Sequence, residues 1–311
     1  MGPFKVFGKT GGIQYVYTSN KELIVLNCGV DNESGFEMCE ECGFIRPVDP
    51  NNHKSVIPHD KPFLVNYGDS KCRGKTHIVF LGNQFITDLL LIRLHLDSKL
   101  NFNPQGNNRW LYAALDSLGE AIVLAASRVL DIDVQELVTG YRIITENGKY
   151  YADLYVFDSL SGGAGYSYVA GQRIEEIFNE TQNVLQYCEG NCGSSCYKCL
   201  RHYKNQLKHQ TLNRYLALEL FEYLKDGKMR SYSLNEQKEY LTPLVRICEI
   251  LNCPIYENVV GNNVVLKTGS GIKVMLRNNI ERPPANGNRA MYFSPCEIAM
   301  DLEKVALLVT Q

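Results

Sequence analysis

Four cysteines in the middle of the chain lie close enough in sequence to bind one metal ion. They fall within 12 residues, with glycine and serine between them: Cys188, Cys192, Cys196 and Cys199. Tetrahedral zinc takes four thiolates at about 2.3 Å, and a set of four protein ligands leaves no open position for catalysis. The spacing therefore predicts a structural zinc site. An iron–sulfur cluster is the alternative, because thiolates alone also bind one.

A second group of cysteines lies nearer the N-terminus. Cys39 and Cys42 form a Cys-x2-Cys-Gly knuckle, which supplies half of a zinc site, and Cys72 is expected to be a third ligand. Four residues are candidates for the fourth ligand: His59, His53, Cys28 and His77. We favour His59, because it lies in a loop between the knuckle and Cys72, and such a loop folds round an ion most easily. The sequence thus predicts two Zn²⁺ ions.

Composition indicates the class of protein and the cellular compartment that fit this chain. The 311 residues are 45% hydrophobic and 21% charged, which excludes extensive disorder and favours roughly two globular domains. No apolar run approaches the ~18 residues of a membrane span, and the N-terminus lacks a secretion signal. Eleven cysteines, an odd number, in a chain without such a signal argue for metal binding over disulfides. We expect a soluble, cytoplasmic protein with no membrane partner.

Basic and aromatic residues follow the four-cysteine group, and positions 196–214 contain no acidic residue. The predicted nucleic-acid contacts are Lys198, Arg201, Tyr203, Lys204, Lys208 and Arg214. Lysine and arginine neutralise phosphates, and tyrosine stacks on bases. Because the formal net charge is −2, such a contact has to be a local patch. The alternative is that Arg201 and Tyr203 only brace the zinc loop.

A glycine-rich turn precedes the four-cysteine group. Gly162, Gly163 and Gly165 lie between a predicted strand and a predicted helix, where backbone amides can bind a phosphate. The alternative is a tight corner that Asp158 caps.

Motifs for catalysis are absent from the sequence. A phosphate-binding loop needs G-x4-G-K-[ST], and the two Gly-Lys-Thr sequences, at 74–76 and 8–10, each have one intervening residue too many. The acid-x-Lys pattern of nucleases occurs in the C-terminal part only as Glu236-Gln237-Lys238, outside a predicted strand. We expect no intrinsic catalysis, so that any ATPase would be a separate protein.

Hydrophobic periodicity predicts a mixed α/β (α+β) fold with two cysteine-rich zinc knuckles. Helices are expected at 109–130, from the glycine turn to 186, at 211–224 and at 239–251. Strands are expected at 134–145, 150–158, 264–267, 272–276 and 305–309, while 84–96 fits a strand or a buried helix. We predict a β-rich region with the first knuckle (1–108), an α/β region with the four-cysteine site (109–230) and a small α+β domain of unknown role (231–311).

These motifs together resemble the zinc-binding domain associated with MrfA-type helicases. The run consists of Asp158, Gly162-Gly163-Ala164-Gly165-Tyr166, Cys188, Cys192, Ser195-Cys196-Tyr197, Cys199-Leu200-Arg201, Tyr203 and Asn205. The upstream part consists of Gly35-Phe36, Cys39, Cys42-Gly43, Cys72, Phe85 and Thr87-Asp88. The resemblance covers about residues 25–222. Such modules occur in DNA repair helicases and in bacterial anti-phage systems, including the DrmB component of DISARM.

The resemblance implies a module that is joined to, or works beside, a superfamily-2 DNA helicase. This chain lacks every ATPase motif, so we expect an accessory subunit or the C-terminal part of a split helicase. The predicted function is DNA contact and protein docking for a helicase or translocase, in anti-phage defence or DNA repair. Two alternatives are a nuclease with an unrecognised C-terminal active site and a structural adaptor that never touches DNA.

Overall fold

The fold is mixed α/β, as predicted, in a computed structural model. The structure describes residues 2–30, 33–51, 55–63, 70–106, 108–284 and 290–310. Contacts divide the chain into a larger unit, residues 1–19 and 88–311, and a smaller unit, residues 20–87. The predicted boundaries near 108 and 230 stay predictions. Within the described residues, no helix is both long and apolar enough to cross a bilayer.

The secondary structure elements are numbered in chain order. The strands are β1 (Lys5–Phe7), β2 (Ile13–Asn27), β3 (Phe36–Cys39), β4 (Ile45–Pro47), β5 (His59–Asp60), β6 (Lys71–Cys72), β7 (Thr76–Val79), β8 (Leu81–Leu96), β9 (Leu137–Glu146), β10 (Lys149–Asp158), β11 (Ile255–Val260), β12 (Asn263–Thr268), β13 (Lys273–Leu276) and β14 (Ala290–Phe293). The α-helices are α1 (Arg109–Leu130), α2 (Tyr166–Gln172), α3 (Ile174–Gln186), α4 (Arg214–Asp226), α5 (Leu234–Ile250), α6 (Pro295–Met300) and α7 (Leu302–Thr310). Short 3₁₀ helices occupy Val134–Glu136 and Tyr203–Lys208.

A five-stranded sheet in the order β1-β2-β8-β10-β9 forms the base of the larger unit. The apolar run that fitted a strand or a helix is strand β8, which pairs antiparallel with β10 so that Leu90 lies opposite Val156. The predicted hairpin is β9 and β10. Its turn residues Asn147 and Gly148 both have positive φ, 51° and 74°, as a two-residue hairpin turn requires.

Helix α1 has the predicted bounds, and it packs against α3, α4 and β9. Its buried face includes Leu111, Leu115, Leu118 and Ile122. The same core contains Cys188, Cys199 and Leu200, so the four-cysteine segment is attached to the body of the larger unit.

The helix that was predicted to continue to residue 186 is broken into α2 and α3. The break falls at Arg173, whose φ and ψ of −102° and 26° are not helical. Its side chain donates a hydrogen bond to the carbonyl of Val129 at 2.8 Å. Just before the break, Gly171 packs so closely on Tyr17 that a Cβ atom would lie 2.3 Å from the ring.

The C-terminal part contains a second sheet, in the order β11-β12-β13-β14, and a separate hydrophobic cluster. Helix α5 begins earlier than predicted, because Ser233 and Glu236 form a capping box. The predicted strand at 305–309 is wrong: this segment lies in helix α7. Its buried residues Val305, Ala306 and Val309 share one helical face, which a short apolar run does not distinguish from a strand.

The smaller unit consists of a three-stranded sheet, β4-β3-β7, and the two-stranded pair β5-β6. Among its described residues, only Cys39, Val48 and Cys72 are buried apolar side chains. So little buried apolar surface does not stabilise a unit of this size, and small folds of this kind depend on metals or disulfides. We therefore expect the first cysteine group to contribute much of the stability of this unit.

Candidate metal centres

The four cysteines after α3 converge on a single point. Their sulfur atoms all lie within 4.8 Å of one another. Four of the Sγ–Sγ distances are 3.5 Å (188 to 196), 3.6 Å (188 to 192), 3.7 Å (192 to 199) and 3.8 Å (196 to 199). Zinc–sulfur bonds of 2.3 Å in a tetrahedron place the sulfurs about 3.8 Å apart, whereas a disulfide needs about 2.0 Å. The arrangement fits one tetrahedral ion held by free thiols.

Local turns produce this convergence. The amide of Asn191 donates to the carbonyl of Cys188 at 2.9 Å, and Asn191 itself has a positive φ of 44°. The amides of Cys199 and Arg201 both donate to the carbonyl of Cys196, at 3.1 and 3.0 Å. At Gly190 a Cβ atom would lie 3.1 Å from the sulfur of Cys196, so a larger residue would crowd the site.

The thiols of this cluster differ in acidity. Burial raises the pKa of Cys199 to about 12. At Cys188, burial is outweighed by hydrogen bonds from the backbone amides of Gly190 and Cys192, so that its pKa falls to about 6. One thiolate therefore forms readily near neutral pH. The remaining protons are lost when a cation binds, which makes metal affinity dependent on pH.

The first cysteine group also closes into a four-ligand cluster. The ligand atoms of Cys39, Cys42, His59 and Cys72 lie within 4.8 Å of one another. The sulfurs of Cys39 and Cys72 are 4.0 Å apart, and Nε2 of His59 is 3.2 Å from the sulfur of Cys42. Pairing of β5 with β6 places His59 opposite Cys72.

His59 is oriented as a metal-binding histidine. Its ring is buried, with 1% exposure, and lies against Phe44 with ring centroids 4.5 Å apart. Its Nδ1 is 3.1 Å from the carbonyl of Val56. Donation by Nδ1–H to that carbonyl fixes the tautomer that leaves Nε2 free to bind metal. Of the other candidates, Cys28 and His77 lie outside this cluster, and His53 falls outside the described residues.

Both donor sets fit zinc better than an iron–sulfur cluster. A multi-iron cluster needs room for several irons and sulfides between its thiolates. Ligand atoms within 4.8 Å of one another leave room for one ion. Zn²⁺ at each site would be held by four protein ligands and would act structurally. The prediction of two zinc sites is confirmed, since the described residues contain two clusters of four ligands.

Arg214 is buried beside the zinc loop, which disfavours the nucleic-acid contact predicted for it. Its side chain is 5% exposed, and it donates to the carbonyls of Leu185 and Gln186 at 2.8 and 2.9 Å. It also donates to the hydroxyl of Tyr215 at 2.6 Å. Its own amide donates to the carbonyl of Ser194 at 3.0 Å. Arg214 therefore ties the end of α3 to the zinc loop.

The other residues of the basic tract are more accessible. Tyr203 is 79% exposed, so it does not brace the loop, whereas Arg201 does so by donating from Nε to the hydroxyl of Ser195 at 2.9 Å.

Lys204 is exposed, and its Nζ donates to a backbone carbonyl at 3.0 Å. Lys208 forms an ion pair with Asp116 at 2.7 Å, which neutralises its charge. Lys198 lies exposed in the turn between two cysteine ligands.

In the glycine-rich turn, the backbone amides bind a carboxylate of the chain itself. Asp158 accepts hydrogen bonds from the amides of Ala164 (2.6 Å), Tyr166 (3.0 Å) and Ser167 (2.7 Å). At Gly163, whose φ is 76°, a Cβ atom would lie 2.9 Å from the side chain of Asp88. These contacts favour the tight, Asp158-capped corner. The phosphate contact predicted at Gly162, Gly163 and Gly165 gains no support from them.

The nuclease-like triplet in the C-terminal part is engaged in structural contacts. Glu236 caps α5 and accepts a hydrogen bond from Arg230, and Lys238 pairs with Glu257 at 2.8 Å. Across the described part of the chain, the groups whose spacing suits a metal are the two cysteine-rich clusters alone.

One polar contact beside the zinc loop was not foreseen from the sequence. His202 Nε2 lies 2.8 Å from the carboxylate of Glu120, a buried residue of α1. The two residues are 82 positions apart, so no motif links them. The pair attaches the segment after Cys199 to α1.

Two closed clusters of thiolate ligands, one of them completed by histidine, define a protein that binds zinc for structure. Comparison with known proteins identifies the family of the zinc-binding domain. The sequence profile of the MrfA Zn-binding domain matches residues 118–200. The chain is also 36% identical over 250 residues to Druantia protein DruE of Escherichia coli (strain UMEA 4076-1). Residues 118–200 therefore contain an MrfA Zn-binding domain, as the motifs predicted.

DruE and MrfA are both much longer than this chain. The alignment with DruE covers 75% of this chain and 13% of DruE. A crystal structure of the DUF1998 helicase MrfA bound to DNA matches with a TM-score of 0.41 and 9% identity, over 71% of this chain and 24% of MrfA. A biotin protein ligase from Leishmania major matches with a TM-score of 0.20 and 8% identity. Both TM-scores are too low to support an argument about function.

Proposed function

We propose that this chain is a zinc-stabilised accessory module of a superfamily-2 DNA helicase or translocase, in anti-phage defence or DNA repair. It contributes DNA contact and protein docking, while a separate ATPase supplies the motor. The observation that carries the proposal is the knuckle of the four-cysteine cluster, which holds Lys198 exposed between the ligands Cys196 and Cys199. The family match and the likeness to DruE support the association with a helicase.

Zinc positions the proposed DNA-contacting segment. Cys199 is a ligand, Arg201 is bonded to Ser195 within the zinc loop, and the 3₁₀ helix Tyr203–Lys208 follows directly. Metal binding in such a loop is coupled to its folding. Loss of the ion would therefore release the basic residues from their fixed positions.

Protein docking is supported by the surface of the smaller unit. Large apolar side chains are exposed on the part of the β2–β8 ribbon within this unit and on the segments beside it. They are Ile24, Val25, Leu26, Val30, Ile78, Phe80, Leu81 and Ile86, each at least 41% exposed. Clusters of exposed apolar residues of this kind mark protein contacts. The proposed occupant is the helicase subunit.

DNA binding by the purified, zinc-loaded chain tests the first half of the proposal. A variant with Lys198, Arg201 and Lys204 changed to alanine should bind a fluorescent DNA at least tenfold more weakly, with a reduced dependence on salt. The matched control is Lys267→Ala, which removes an exposed lysine from β12. Equal loss in the control, or no loss in the triple variant, would contradict the DNA contact.

Co-purification tests the second half. The tagged chain should retain a helicase subunit from the same genome, and Ile24→Asp with Leu26→Asp should abolish retention without loss of zinc. Retention without any DNA affinity would identify a structural adaptor. Cleavage of plasmid DNA by the isolated chain would instead favour the nuclease alternative.

A further inference from the structure

We infer that the surface beside the four-cysteine cluster binds single-stranded DNA by base stacking. This inference rests on the proposed DNA contact and specifies its substrate. The surface, here called the knuckle face, consists of Tyr197, Lys198, Tyr203, Lys204 and Leu207. All five side chains are exposed.

Tyr197 is held in place as a stacking platform. It lies in the turn between the ligands Cys196 and Cys199, and its ring is 72% exposed. The ring meets His209 edge to face, with centroids 5.3 Å apart and an interplanar angle of 89°. His209 is fixed in turn by a 2.9 Å hydrogen bond between Nε2 and the side chain of Asn205. Little conformational entropy would be lost when a base stacks on a ring fixed in this way.

Tyr203 and Leu207 are two further exposed side chains, on the 3₁₀ helix Tyr203–Lys208 that follows the zinc loop. They are 79% and 97% exposed. The helix itself is anchored by buried Asn205, whose amide donates to the carbonyl of Leu200 at 2.8 Å and whose oxygen accepts from the amide of His202 at 2.9 Å. The apolar side chains thus point outward from a fixed backbone, where they have no role in the core.

The number of cations favours a single strand over a duplex. Lys198 and Lys204 are exposed, and Arg201, which braces the zinc loop through Nε, adds a third positive charge. Lys208, in contrast, is paired with Asp116, and Arg214 is buried. Three neutralised phosphates on a single strand give a slope of log K against log salt of about −2. A protein that makes about 6–10 phosphate contacts gains far more affinity from electrostatics and depends more steeply on salt. A face with three cations and two exposed rings has to gain affinity from stacking, which needs unpaired bases.

Fluorescence anisotropy with the full zinc-loaded chain tests this. The probes are a single strand of about 15 thymidines and a duplex of equal length. We expect the single strand to bind at least tenfold tighter, with a salt slope near −2. Replacing Tyr197 and Tyr203 by alanine should weaken single-strand binding by about 20-fold or more, while replacing both by phenylalanine, which keeps the rings, should change it less than threefold. Zinc content confirms that each variant is folded.

The outcomes separate this inference from the proposed function. Equal binding of duplex and single strand, or equal loss in the alanine and phenylalanine variants, would overturn stacking. If the Lys198, Arg201 and Lys204 alanine variant still lost binding, the proposed DNA contact would stand without base stacking. If neither probe bound the wild-type chain, both the stacking inference and the DNA contact would fall.

Discussion

Arg214 offers a sharp test of the difference between bracing the zinc loop and contacting DNA. The perturbation is Arg214→Met, which keeps the length and apolar stem of the side chain but removes the guanidinium. It leaves the carbonyls of Leu185 and Gln186 without the donor that they have at 2.8 and 2.9 Å. It also removes the contact with Tyr215, whose hydroxyl lies 3.3 Å from the carbonyl of Cys192.

The magnitude follows from those contacts. Each buried acceptor left without a partner costs about 1–3 kcal/mol, and breaking a buried charged network typically costs about 3–5 kcal/mol. We expect Arg214→Met to lower the free energy of unfolding by about 3–5 kcal/mol. Lys204→Met is the matched control, because Lys204 is exposed, and we expect it to change stability by less than about 0.5 kcal/mol.

Urea unfolding followed by circular dichroism measures both variants, with DNA affinity measured under folding conditions. A folded Arg214→Met protein should bind DNA as the wild type does, whereas Lys204→Met should bind more weakly. Stability of Arg214→Met within about 0.5 kcal/mol of the wild type, together with a loss of DNA affinity, would overturn this prediction. That result would make Arg214 a contact residue after all.

Three further predictions concern the two metal clusters and the buried carboxyl group of Glu219. Changing Cys188 and Cys199 to serine should remove one zinc per chain by elemental analysis and should leave the second; retention of both ions would contradict the four-cysteine site. His59→Ala should lose the other zinc, and His77→Ala should keep it; the reverse pattern would make His77 the ligand. Burial raises the pKa of Glu219 above its ordinary value of 4.5, so the folded chain retains a proton that the unfolded chain releases. The free energy of unfolding should therefore fall as pH rises from about 4.5 through the raised pKa, and Glu219→Gln should flatten that decline in urea titrations; an unchanged profile would contradict it.

The metal clusters were the most predictable part of this structure. Cys188, Cys192, Cys196 and Cys199 lie close together in sequence with small residues between them, so a local pattern is enough to predict the site. Helix α1 and the β9–β10 hairpin were equally accessible, because long amphipathic periodicity and an Asn-Gly turn are strong local signals.

Other features depended on contacts that no local pattern encodes. Arg214 belongs to a basic tract in sequence, but the fold turns its side chain inward to the carbonyls at the end of α3. The apolar run at 305–309 fits the periodicity of a strand or of a helix. Packing of α7 against α5 favours the helix, and the sequence does not show that contact. Asp158 was foreseen as a possible cap, but its three amide partners become evident only in the structure.

The smaller unit shows why zinc is central to the account. With Cys39, Val48 and Cys72 as the buried apolar side chains among its described residues, it has almost no hydrophobic core apart from its metal ligands. A structural ion there supplies the free energy of folding that apolar burial supplies elsewhere.

The most direct test of the central claim is the metal content of the purified chain, measured by elemental analysis with protein quantified on the same sample. We expect two zinc ions per chain, released together with unfolding of the smaller unit when a strong chelator is added. Iron with visible absorbance, or a folded chain without zinc, would contradict it.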